Sequence, residues 1–279
     1  MDDSEETSIK MTEILVALDH SSHSRAALES AAFIAKLMEA KIHGLFVHDD
    51  QWLRIGKLPY LAEIDELTGK ISPIGRDSIE KKIRDVEIAI KEHFEHISNQ
   101  YQLPNTLSTE KGVVTKKVLE AAKDVDLITI GSRGRSFSKS GKLGSTASSI
   151  IRTADKPVLI LQNRRKPNRP TIVVFDGSEK SAFGVKMALA IAGKNDSSLI
   201  VIDMSDAFST KISLDSITDQ TETEIQVIKM DQPNMGRFLF LLNRLRGGLL
   251  VVPKNDRFTK KSTVEYILEG AKCPILLAS

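Results

Sequence analysis

The sequence predicts an α/β protein made of two doubly wound domains in tandem, each a parallel sheet covered by helices. Three observations carry that expectation. Short apolar runs alternate with longer amphipathic segments, the plan restarts near Thr171, and 279 residues suit two domains of ordinary size. A parallel strand pair needs a crossover connection, which a helix usually supplies, so this alternation implies sheets buried on both faces.

Ile14-Leu15-Val16-Ala17-Leu18 is an unbroken apolar run ending at Asp19, as suits a fully buried strand. From about Ser21 to Ala40, Ala26, Ala27, Ala31, Phe33, Ile34 and Leu37 stand among polar residues and mark a helix. Lys41–His48 is the second strand. A long segment from Asp49 to about Gly75, broken by Gly56, Pro59, Gly69 and Pro73, leads to a charged helix from about Asp77 to Gln100. A third strand near Thr106–Glu110, a helix from about Val114 to Lys123 and a fourth strand, Asp126–Ile130, follow. A glycine-rich loop then opens a helix from Ser145 to about Ala154, and Pro157–Leu161 is the fifth strand.

Beyond a linker, Asn163–Arg169, the order repeats with Ile172–Asp176, a helix near Ser181–Ala192, the strand Ser198–Asp203 and the run Leu249–Val252. Ser262-Thr263 and Pro274 keep the spacing of Ser145-Thr146 and Pro157. The expected domains are residues 11–162 and 170–279, the second reduced because it lacks most of the long charged helix.

Net charge is +2, from 39 basic and 37 acidic residues, with no basic stripe of the kind a nucleic-acid surface needs. The short run Arg164-Arg165-Lys166 falls in the linker. The single cysteine, Cys273, rules out an intrachain disulfide and points to a reducing compartment. The acidic start resembles no secretory signal, and no apolar stretch approaches the ~18–20 residues that span a bilayer, so a cytoplasmic location is expected.

The chemistry concentrates after the fourth strand. Gly131-Ser132-Arg133-Gly134 follows a buried strand, and Gly144-Ser145-Thr146 opens a helix. Glycines permit positive φ and close approach of phosphate oxygens, while a helix start offers unpaired N–H donors and the positive end of a dipole. Arg133, Arg135, Lys139 and Lys142 add positive charge. Neither a Walker A loop nor a Gly-x-Gly-x-x-Gly turn is present. Taken alone, the loop is equally explained as a surface turn without a ligand. Asp19, at the end of the first strand, could bind ribose hydroxyls or a metal, or could cap the following helix through Ser21 and Ser22.

Gly131-x-x-Gly134, nine residues, then Gly144-Ser145 resembles the Gly-2x-Gly-9x-Gly-Ser/Thr motif of ATP-binding universal stress proteins. Ile14–Asp19 with Ser21 is similar to that family's first strand, and Lys156-Pro157-Val158-Leu159 to its last. The likeness covers Thr12–Gln162 with the motif and Thr171–Ala278 without it. The resemblance implies strand order 3-2-1-4-5 in each five-stranded sheet. It places Ala17 and Asp19 under a nucleotide, with Asp19 at the ribose, and Val47 and Ile130 beside the adenine. Gly131, Arg133, Gly134, Gly144, Ser145 and Thr146 would surround the phosphates. The implied ligand is ATP, ADP or AMP, with Mg2+ as companion ion. The family's fifth strands commonly pair in dimers, so the two halves could pair within one chain, and a homodimer is a further option.

The second half departs from the motif. Pro253 replaces Gly131, Lys261 replaces Gly144, and the stretch Pro253–Ser262 holds no glycine. Proline lacks the N–H a phosphate cradle uses, so this domain is expected to be a structural or regulatory partner without the site. All six histidines fall between His20 and His96; His93 and His96 could share a helix face, but without acidic or cysteine ligands at a recognised spacing. His20 and His23 could reach a phosphate or simply line a solvated turn. Cys273 suits a small core position, and Trp52 and Tyr60 suit either a lid or an anchor.

The expected function is a nucleotide-binding regulatory protein with an unidentified protein partner. A slow ATPase and a non-binding scaffold are the alternatives. The adenylate-forming ATP pyrophosphatases fit poorly, because Asp19-His20-Ser21-Ser22-His23-Ser24 lacks their glycines.

Overall fold

The structure is a computed structural model that describes residues 9–49, 62–64, 71–73, 76–134, 143–162, 169–205, 212–218, 221–231 and 234–279. The first half comprises β1 (Glu13–Leu18), α1 (Ser22–Met38), β2 (Lys41–Asp49), β3 (Ala62–Ile64), β4 (Ile71–Pro73), α2 (Arg76–Tyr101), β5 (Asn105–Gly112), α3 (Val114–Ala121), β6 (Leu127–Gly131), α4 (Ser145–Thr153) and β7 (Val158–Leu161). The second comprises β8 (Thr171–Phe175), α5 (Glu179–Lys194), β9 (Leu199–Asp203), α6 (Asp215–Thr218), β10 (Ile225–Lys229), α7 (Met235–Leu245), β11 (Leu249–Pro253), α8 (Asp256–Thr259), α9 (Lys261–Ala271) and β12 (Ile275–Ala278).

Ten strands form one sheet in the order β10-β9-β8-β11-β12-β7-β6-β1-β2-β5. Each half therefore has the 3-2-1-4-5 order, parallel throughout. The expected pair of sheets is in fact continuous. β12 runs antiparallel to β7, with Ile275 opposite Ile160, Leu276 opposite Leu159 and Leu277 opposite Val158. All six side chains are buried, and leaving two such apolar strands as open edges would invite non-native pairing.

Alternation along each strand sorts the core into two layers. Ile14, Val16, Leu18 and Phe46 pack with α1, α2 and α5 on one face. Leu15, Leu45, Val47, Ile128 and Ile130 pack on the other with residues of α3, α4, α7 and α9. Both layers run through both halves. Gly44 allows α2 to lie close, since a Cβ there would come within 2.7 Å of the Phe94 ring. The unassigned stretch between Asp49 and α2 contains a small antiparallel ladder of β3 and β4. Trp52 and Tyr60 lie outside the described residues.

Asp126 ties the two central strands at their amino ends. Its Oδ2 accepts from Thr12 N at 2.7 Å, Thr12 Oγ1 at 2.8 Å and Glu13 N at 3.1 Å. Burial raises its pKa, but these donors and nearby Lys156 prevail and hold the carboxyl below the ordinary value. No helix among the described residues is long and apolar enough to cross a membrane.

Candidate functional site

β1 and β6 are neighbours, so their carboxyl ends open on one crevice, where the strand order reverses. Asp19 leaves β1 there. Its Oδ1 accepts from Ser21 N at 2.9 Å, while its own N–H donates to Ser24 Oγ at 2.9 Å. Ser21 caps α1 by accepting from Ser24 N at 3.1 Å. Ser21 is thus the N-cap of α1, and Asp19 supports it by accepting from the Ser21 amide with one carboxylate oxygen. Asp19 Oδ2 faces Gly134, where an added Cβ would come within 2.9 Å of it.

The described part of the loop is anchored by its backbone. Ser132 N donates to Leu161 O at 2.7 Å, and Gly144 N donates back to Ser132 O at 2.8 Å. Ser21 Oγ donates to Arg133 O at 3.3 Å, linking the loop to the start of α1. The glycines do not serve as expected: positive φ among the described glycines occurs at Gly112 and Gly177, not at Gly131, Gly134 or Gly144. Gly131 is required by close approach instead, since a Cβ there would lie 2.9 Å from the His23 carbonyl carbon. A Cβ on Gly144 would make ordinary contacts, the nearest 3.6 Å from Arg133 Cα and Ser132 O.

Gly144 is the N-cap of α4 with extended dihedrals, φ −66° and ψ 156°, and it brings no side chain to cap the helix. The first-turn amides of Ser145, Thr146 and Ala147 have no acceptor within their own helix, and the dipole adds positive potential. Ser145 is exposed and Thr146 half-buried, with Arg133 and Gly134 exposed on the other side of the loop. Arg135, Lys139 and Lys142 lie outside the described residues.

Ala17, Val47 and Ile130 sit at the carboxyl ends of three adjacent strands and share the sheet face that carries α4. Val47 and Ile130 are buried and Ala17 is half-buried. His23 lies against Gly131. Burial, then the guanidinium of Arg133, lowers its pKa below the ordinary 6.5, and Asp19 only partly opposes them. His93 and His96 line a cavity of about 380 Å³ with His20, Arg25 and Glu92 between α1 and α2, beside Asp19. Among the described residues no group of three metal-ligating side chains converges. Burial pushes the Cys273 thiol up to about 12, as for an unreactive packing residue.

In the equivalent crevice of the second half, the aspartate that ends the first strand is engaged by groups of its own half. Asp176 Oδ1 accepts from Ser178 N at 3.1 Å and Ser178 Oγ at 2.5 Å. Its Oδ2 accepts from Asn255 Nδ2 at 2.9 Å. Asn255 also caps α8, accepting from Arg257 N at 3.0 Å and Phe258 N at 3.3 Å. Lys180 Nζ donates to Lys254 O at 2.9 Å. A one-turn helix and two side chains thus stand where the first half has its glycine loop.

Sequence reading missed two participants. Ser24 receives the Asp19 amide, and Glu265 of α9 accepts from Leu143 N at 3.1 Å across the junction of the halves. A serine inside a helix and an acid 122 residues away carry no local signal.

A model described as the universal stress protein family matches residues 11–162. A curated universal stress protein from Mycolicibacterium smegmatis is 24% identical over 193 residues, 68% of this chain and 62% of its own length. The chain thus spans less than two thirds of that relative. A solved universal stress protein from Archaeoglobus fulgidus has TM-score 0.70 at 17% identity, covering 97% of this chain and 99% of that one. A functionally unknown protein from Pseudomonas aeruginosa has TM-score 0.60 at 13% identity, covering 96% and 92%. At such identities these two likenesses speak for the fold.

Proposed function

The chain belongs to the universal stress protein family, and from that premise we propose that its first half binds an adenine nucleotide. The observation that carries the proposal is the asymmetry of the two crevices. Asp176 has both oxygens occupied by side chains and amides of its own half. Asp19 spends Oδ1 on Ser21 N, and Oδ2 faces a glycine whose Cβ would take the adjoining space.

The residues present fit the ligand. Ser145, Thr146 and Ala147 offer amides to an anion, Ser145 and Thr146 add hydroxyls, and Arg133 adds a cation. Gly131, Gly134 and Gly144 keep the backbone free of side chains, so phosphate oxygens can come close. The ordinary room around a Gly144 Cβ means the chain itself does not demand glycine there; a bound phosphate would. Asp19 Oδ2 accepts from ribose hydroxyls, and Ala17, Val47 and Ile130 give the base an apolar wall. The ligand is ATP, ADP or AMP; Mg2+, held mainly by phosphate oxygens and water, would neutralise part of the phosphate charge.

Residues 11–162 and 170–279 are read as two domains of one plan, the second closed to nucleotide. Turnover is not the reading favoured: Asp19, the acid at the end of β1, has Oδ1 bound to Ser21 N, and this reading gives Oδ2 to the ribose. Binding therefore serves regulation, the bound state biasing a surface read by a protein partner.

Native mass spectrometry of the purified chain, repeated after dialysis and ATP addition, tests this. One nucleotide per chain is expected, with its mass unchanged over hours. Gly144→Leu should keep the fold, by circular dichroism, and lose the nucleotide. A parent that stays empty at millimolar ATP, or a folded variant that still binds, overturns the reading.

A further inference from the structure

The helix bearing the proposed phosphate site, α4, is held at both ends by the other half of the chain. Just before its N-cap, Leu143 N–H donates to Glu265 Oε1 of α9 at 3.1 Å. At its far end, Lys254 Nζ donates to the carbonyl oxygen of Ala154, the C-cap residue. The partners are 122 and 100 residues apart in sequence, so both contacts exist only because β7 and β12 pair.

Each contact sits where it matters. Gly144 N–H is already bound to Ser132 O of its own half. The neighbouring amide, Leu143, is engaged by the other half, so the two bonds together set where the first-turn amides of Ser145, Thr146 and Ala147 begin. Lys254 places an ammonium at the negative end of the helix dipole, where it is favourable. It is 7% exposed, and its place is fixed by its own backbone. Lys254 N donates to Ala278 O at 2.7 Å, and its carbonyl accepts from Lys180.

Lys254 also occupies the position that Ser132 holds in the first half, since Ser132 N donates to the fifth strand in the same way. The residue inside the altered second loop is thus the one that reaches over to the C-terminal end of α4.

We infer that Glu265 and Lys254 are positioning residues for the nucleotide site: the closed half holds α4 of the open half in register with the phosphates. This rests on the reading that the first half binds an adenine nucleotide. The contact from Glu265 is made as an acceptor, so glutamine can replace it while alanine cannot.

The test uses the full chain as Glu265→Ala, Glu265→Gln and Lys254→Met. Affinities for ATP and for adenosine are measured by titration calorimetry, and amide exchange of residues 143–154 is followed without nucleotide. The loss of one positioning bond predicts ATP binding weakened about tenfold in Glu265→Ala and Lys254→Met. Adenosine, which lacks phosphates, should change less than about twofold, and exchange in α4 should quicken. Glu265→Gln should keep ATP affinity within about threefold of the parent. Equal losses for ATP and adenosine, unchanged ATP affinity, or unchanged exchange would overturn the inference while the parent still binds. A parent that binds neither ligand overturns the nucleotide reading itself.

Discussion

At the scale of single residues, His23 shows how the loop and the first helix share one electrostatic environment. Burial and Arg133 lower its pKa below 6.5, so the unfolded chain takes up a proton before the native protein does. Stability then rises with pH across the interval between the lowered native value and 6.5, and falls as the solution is acidified through it. Urea midpoints between pH 7 and pH 5 should drop less for His23→Gln than for the parent. Equal slopes in the two proteins would refute the assignment. Gly131 makes a related point, because its smallness serves the backbone of α1 and not a turn of unusual dihedrals.

At the scale of elements, the two central strands of the first half are pinned by one carboxylate. Asp126 takes three hydrogen bonds from Thr12 and Glu13, and so sets where β1 begins relative to β6. Its pKa is lowered, so its contribution is present above the ordinary 3.8 and is lost as pH falls through the native value. Because the site is largely exposed, screening reduces the gain, and Asp126→Ala should cost about 1–2 kcal/mol at neutral pH. Chemical denaturation of parent and variant at pH 7 and pH 3 checks this; the difference should shrink at the lower pH. The same scale explains the two crevices. The first turns of α1 and α5 are capped alike by Ser21 and Ser178, so the repeat is preserved in the element. The halves diverge in the segment after the fourth strand, where α8 and Asn255 replace the glycines.

At the scale of the whole molecule, the sheet crosses from one half to the other without a break. One core layer joins Leu159 and Leu161 to Val173, Val251 and Leu276, and α1 packs with α5 above them. The apolar seam of β7 and β12 and the contact of α1 with α5 tie the two halves to each other. Heating should therefore give one transition in differential scanning calorimetry, with calorimetric and van't Hoff enthalpies equal. Two resolved transitions would mean that the β7–β12 junction does not couple the halves. The outer edges, β5 and β10, carry polar and charged residues such as Glu110, Lys111 and Lys229, which disfavour further strand addition.

The sequence by itself determined the strand–helix order, the repeat, the loop glycines and the loss of those glycines in the second half. These are local signals: apolar runs such as Ile14–Leu18, the spacing from Gly131 to Gly144, and the proline at 253. Continuity of the sheet was suggested only through the family resemblance, because nothing in Val158–Leu161 names its antiparallel neighbour. Tertiary structure alone decided that Asn255 donates to Asp176 in the second crevice, and that Gly131 is needed for close packing. It also decided that Glu265 and Lys254 hold α4 from the other half. The physical reason is the same in each case. Periodicity reports which face a residue turns to the core, whereas a hydrogen bond across a hundred residues depends on where two separate elements come to rest.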